Sequence, residues 1–188
     1  SAEFKFGVYS ALAIAAAWLM GVVDELRVGD VLVTAPFIVA LAGTALWVFT
    51  LLNVVNFMDG ANGMAMGSVT VGLCALSVIA LQGGSIGGGA IALCGAGALA
   101  GFLIWNFPNG RLFAGDSGAL FAGALAAFGC LIVIARAHMS PLVAPILFFP
   151  LLADALLTLL YRARRGRSLL VAHAEHIYQI AIISGWSH

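Results

Sequence analysis

Six apolar stretches, near 4–23, 32–52, 64–82, 86–105, 117–135 and 141–161, take up most of the 188-residue chain. Each is close to the ~20 residues that a helix needs to cross the ~30 Å hydrocarbon core of a bilayer. Hydrocarbon offers no partner to a backbone N–H or C=O, so segments of this kind span as helices whose ladders are internally complete. Composition agrees: 9% of the residues are charged, against the ~25% of a water-surrounded domain. The expected fold is an all-α polytopic transmembrane helix bundle of about six spans, with residues 1–188 as one transmembrane domain.

The loops then fall alternately on two sides. The side holding both termini receives Lys5, Arg111, Arg162, Arg164, Arg165 and Arg167, and the other only Arg27 and Arg136. The positive-inside rule puts the richer side, with the N- and C-termini, in the cytoplasm. Loops 53–63, 106–116 and 162–188 share that side and carry most of the Asn, Asp and His residues. The opposite connectors are short, with Asp24, Glu25 and Asp30 as a water-facing acidic patch. Zero net charge points to no nucleic-acid partner.

Asn53, Asn56, Asp59 and Asn62 recur every three residues, about one helical turn, so all four can face one direction. A helix cap would explain one of them; four polar side chains at a membrane-length helix end are costly without partners. In the second loop Asp116 stands beside the free N–H groups that open a helix, and Gly115 and Gly118 let a bulky anion approach the backbone. The Gly115-Asp-Ser-Gly118 tetrad also matches a serine-protease motif, but no triad accompanies it. Asp154 sits in the last span, either reaching toward water with Arg162 or lining a site. Pro141, Pro145 and Pro150 should break the first half of that span. Gly97-Ala-Leu-Ala-Gly101 has the small-xxx-small spacing of packed membrane helices, and Cys74, Cys94 and Cys130 read as small buried residues. The arginines near residue 165 fit anionic headgroups, while His173 and His176 can donate to phosphates and make a poor zinc site. Carboxylates beside phosphate-binding donors suit magnesium-assisted phosphoryl transfer at a membrane surface.

Together the three loops resemble those of the polyprenyl-phosphate N-acetylhexosamine-1-phosphate transferases of glycosyltransferase family 4. This family includes the muramoyl-pentapeptide translocase and the enzymes that start O-antigen and teichoic-acid linkage units. Asn53-Val-Val-Asn-Phe-Met-Asp-Gly-Ala-Asn-Gly-Met-Ala65 resembles its Asn-rich Asp-Gly loop. Phe113-Ala-Gly-Asp-Ser-Gly118 resembles its Phe-Met-Gly-Asp-x-Gly signature, and His173-Ala-Glu-His-Ile-Tyr-Gln179 the His-x-x-His-Leu-Tyr-Gln form of the O-antigen branch. The resemblance implies transfer of a sugar 1-phosphate from UDP-N-acetylhexosamine to undecaprenyl phosphate, with UMP released. It also implies a bacterial inner-membrane location and a common tendency to homodimerise.

By motif position Asp116 would hold Mg²⁺, with Mn²⁺ as the alternative ion, and Phe113 would stack on uracil beside Gly115. Asn106 would contact the nucleotide, Asp59 with Asn53 and Asn56 would position the reacting phosphates, and His173 and His176 would stabilise the diphosphate or sugar. Two departures stand out. Asn62 replaces a second Asp, and the family's Asp-Asp pair on an early span is missing. The opening helix resembles the family's fourth span, which implies an incomplete core, inactive alone. Rival readings are a transporter or channel subunit, suggested by the broken span and Asp154, and a non-catalytic truncated homologue.

Overall fold

The computed structural model describes residues 2–168 and 175–185. Its helices are α1 (Ala2–Met20), α2 (Phe37–Met58), α3 (Met64–Gln82), α4 (Ile86–Asn106), α5 (Gly115–Ala137), α6 (Val143–Leu147), α7 (Phe149–Arg164) and α8 (Ile177–Ile183). A two-stranded antiparallel hairpin, β1 (Glu25–Val28) and β2 (Val31–Thr34), joins α1 to α2. Among the described residues, α2, α3, α4 and α5 are long and apolar enough to cross a membrane, and α1 adds a shorter apolar stretch, Phe4–Met20.

The expected six full spans are corrected at two places. Residues 32–34 leave the second apolar run to pair with the preceding connector as the hairpin, so α2 starts at Phe37 and carries Asn53 and Asn56 inside the helix. The last apolar run is broken at Phe148, with Pro150 in the first turn of α7, where a missing N–H costs nothing. The break falls where the prolines predict it.

Small residues hold the bundle together. Ala119, Ala122, Ala126 and Ala127 of α5 are all fully buried, which brings that helix close to its neighbours. At Gly123 an added Cβ would lie 2.7 Å from the Leu51 carbonyl oxygen and 3.0 Å from the Leu52 Cα, so α2 and α5 touch backbone to backbone. The Phe148 ring fills the space over Gly72, and Leu125 that over Gly95. Two expectations fail. Gly97 and Gly101 face open space, so the close packing of α4 runs through Gly88, Gly89 and Gly95 instead. Cys74 and Cys94 are exposed, and only Cys130 is buried.

The alternating helices collect the 59–63 and 107–114 connectors, the start of α1, the end of α7 and α8 at one end of the bundle. The hairpin and the residues around His138 form the other end, where the Val23 N–H donates to Thr44 Oγ1 at 3.0 Å.

Candidate functional site

The polar end is built on one buried amide. Asn106, the last residue of α4 and 6% exposed, accepts the Gly63 N–H at 2.6 Å and donates to the Leu112 carbonyl at 2.8 Å. Both polar atoms of its amide thus serve the protein, one for each loop. Asn62 adds a second tie, its Nδ2 lying 3.2 Å from the Pro108 carbonyl oxygen. Gly63 takes a φ of +77° with the Phe107 ring against it, a place that suits only glycine. Asn53 donates to the Phe49 carbonyl within α2 at 2.7 Å, and Asn56 lies half-buried one turn later. A groove of about 380 Å³ opens beside these ties, between Asn62, Gly67, Leu103 and Phe107.

Asp59 follows α2 directly, and α8 closes over its loop. The Tyr178 hydroxyl donates to the Phe57 carbonyl at 3.0 Å, and its ring lies over Gly60, where any Cβ would collide with the phenol. Half-burial pushes the Asp59 carboxyl up from 3.8 to about 6. The Tyr178 phenol is raised too, first by burial; a bond from Gln179 opposes that shift, and the Asp154 and Asp59 charges add to it.

Asp154 of α7 anchors the same assembly. Its Oδ1 accepts from Thr158 Oγ1 at 3.1 Å and from the Ile177 N–H at 3.0 Å, and lies 3.5 Å from His176 Nδ1. His176 is 5% exposed, with its ring stacked on Tyr178 and tilted toward Phe57. Arg162, equally buried, is tied to the Ser168 carbonyl and to Glu175, which Arg167 also holds. Asp154 and Arg162 therefore have separate partners, both within the protein.

Asp116 behaves differently. It stands in the first turn of α5, 68% exposed, 3.2 Å from the equally solvated Lys5 of α1. Phe113 is exposed just before it, and Gly115 has a φ of +62° with open space where a Cβ would be. Direct contacts thus link Asn62 to Asn106 through the two loops, and Asp154 and His176 to the loop of Asp59 through α8. Asp116 shares their end of the bundle but meets Lys5 instead. His173 lies outside the described residues. In the sequence Lys5 counts only toward topology and Tyr178 has no role of its own, although the latter stands inside the third motif; only the fold shows what each touches.

The described residues hold no cluster of three or more His, Cys, Asp or Glu side chains. An exposed carboxylate with its partner in solvent fits a cation that uses one or two protein carboxylates and completes its shell with phosphate and water.

Residues 1–135 match the family model described as glycosyl transferase family 4. The chain is 28% identical over 147 residues to a probable undecaprenyl-phosphate N-acetylglucosaminyl 1-phosphate transferase of Bacillus subtilis, covering 77% of this chain and 41% of that one. It is 32% identical over 161 residues to the decaprenyl-phosphate N-acetylglucosaminephosphotransferase of Mycobacterium tuberculosis, covering 74% and 40%. Over 88 residues it is 35% identical to a phospho-N-acetylmuramoyl-pentapeptide-transferase of Levilactobacillus brevis, covering 46% and 27%. The chain therefore spans about two fifths of the length of the first two relatives. A match across most of the chain, over the first two polar loops, makes it a member of glycosyl transferase family 4.

Proposed function

We propose that the protein to which this core belongs transfers N-acetylhexosamine 1-phosphate from a UDP-sugar to undecaprenyl or another polyprenyl phosphate. An oxygen of the lipid phosphate attacks the sugar-bearing phosphorus, the bond to UMP breaks, and a polyprenyl diphosphate sugar forms. In this reading α1 and the broken α6–α7 segment complete six crossings of a bacterial inner membrane. The polar end faces the cytoplasm, in keeping with Lys5, Arg111 and the arginines that close α7.

The observation that carries this reading is the convergence of the 59–63 loop, the 107–114 loop and α8 at one end of an apolar bundle. Asp116 is the residue that would hold Mg²⁺, or Mn²⁺ in its place, and the ion would neutralise diphosphate charge. Phe113 offers an exposed ring to the uracil, and the open backbone at Gly115 leaves room for a phosphate. Asp59, with Asn53 and Asn56, would position the reacting phosphates, and the acceptor phosphate, with a second pKa of ~6, is largely ionised at neutral pH. Asn106 supports this site from behind by fixing both loops. Little general-base work is needed, and catalysis rests on alignment and charge.

The test is UMP release by the full-length protein given UDP-N-acetylhexosamine, undecaprenyl phosphate and Mg²⁺. Asp116→Ala is expected to lower kcat at least ~100-fold without unfolding the protein. Wild-type activity in that variant would overturn the assignment.

A further inference from the structure

Asp154 raises a separate question, because it is a carboxylate held almost wholly within the protein. Its side chain is 12% exposed. Its polar contacts run within α7 and to the start of α8: the Thr158 hydroxyl, the Ile177 N–H and the His176 imidazole. An Asp in the middle of an apolar helix costs several kcal/mol unless it is paired, so these partners are what allow it there. The Ile177 N–H is one of the donors that the first turn of α8 cannot satisfy internally, and a carboxylate at that end also matches the helix dipole. One residue later Tyr178 reaches Phe57 and covers Gly60, beside Asp59. The chain of contacts runs from α7 through the start of α8 to the loop of Asp59.

We propose that Asp154 is a positioning residue: it latches α8 to α7, so that His176 and Tyr178 clamp the loop that carries Asp59. This rests on the transferase reading for its effect on rate, but the latch itself does not. A residue that acts through His176 must lose its influence when His176 is gone. The Asp154 carboxylate is engaged by Thr158, Ile177 and His176, so its loss is expected in kcat and not in the KM for the UDP-sugar.

The experiment uses the full-length protein with Asp154→Asn, Asp154→Ala, His176→Ala and the double variant Asp154→Asn/His176→Ala. Asn keeps an oxygen that can accept from Ile177 and Thr158, so this variant is expected to fold even where Ala does not. Asp154→Asn should lower kcat at least ~10-fold, with KM changed less than ~2-fold, and should add less than ~2-fold in the His176→Ala background. Amide exchange across 177–183 should quicken at least ~10-fold in Asp154→Ala, or in Asp154→Leu, which also cannot accept from Ile177, if Ala does not fold. An equal loss of rate with and without His176, or unaltered exchange across α8, would overturn the latch. If the wild-type protein releases no UMP, the transferase reading fails instead, and exchange alone still decides whether Asp154 holds α8.

Discussion

Asp59 carries the most informative single property at the site. Its carboxyl is raised to about 6 by burial, so the fold prefers the neutral form. That preference contributes stability fully below the unfolded value of 3.8, and the contribution is lost as pH rises through about 6. Asp59→Asn, which stays neutral, is expected to melt ~2–4 °C above wild type at pH 7.5, a size held down by the solvent around a half-buried group. The gain should vanish by pH 4, and thermal scans across that range would check it. The same variant should lose most of its transferase activity. Asn106 makes the opposite case: Asn106→Ala leaves the Gly63 N–H and the Leu112 carbonyl without partners. A loss of about 2 kcal/mol is expected in denaturant titration of the protein in micelles. The sequence marks Asn106 as polar at a helix end, but its two partners lie 43 and 6 residues away, which no local pattern specifies.

At the level of elements, hydropathy located α3, α4 and α5 to within a few residues, because a bilayer-length apolar run has one stable form. The hairpin escaped because Leu32, Val33 and Thr34 of its second strand read as the start of the second apolar run, and the rest as a connector. Its signal was present in Leu26-x-Val28 and Val31-x-Val33, alternating around a Gly29-Asp30 turn in which Gly29 has a φ of +59°. Glycine packing was legible as a tendency and not as a location. Gly97 and Gly101 have the spacing of a packed pair yet face open space, while Gly123, spaced four residues from both Ala119 and Ala127, meets the α2 backbone. Two substitutions separate these environments. Gly123→Ala is expected to cost ~1–3 kcal/mol, since the atoms in its way are backbone and cannot step aside. Gly97→Ala should be neutral or stabilising by up to ~1 kcal/mol, from helix propensity alone. Unfolding of both variants in micelles would measure the difference.

Over the whole molecule, alternation of spans is what turns distant motifs into neighbours. An odd number of crossings between two loops would put them on opposite faces; here the 59–63 and 107–114 loops are two crossings apart and are stitched together by Asn62 and Asn106. That much follows from counting apolar runs. The closure by α8 does not, because the Tyr178–Phe57 contact spans 121 residues and depends on how the broken α6–α7 segment turns back. The most direct measurement is a hydrogen-exchange footprint of the full-length protein with and without UDP-N-acetylglucosamine and Mg²⁺. Joint protection of 57–63, 107–118 and 175–183, with 24–35 unchanged, is the expected result. Protection confined to the hairpin end, or to one of the three segments alone, would contradict a single site at the polar end of the bundle.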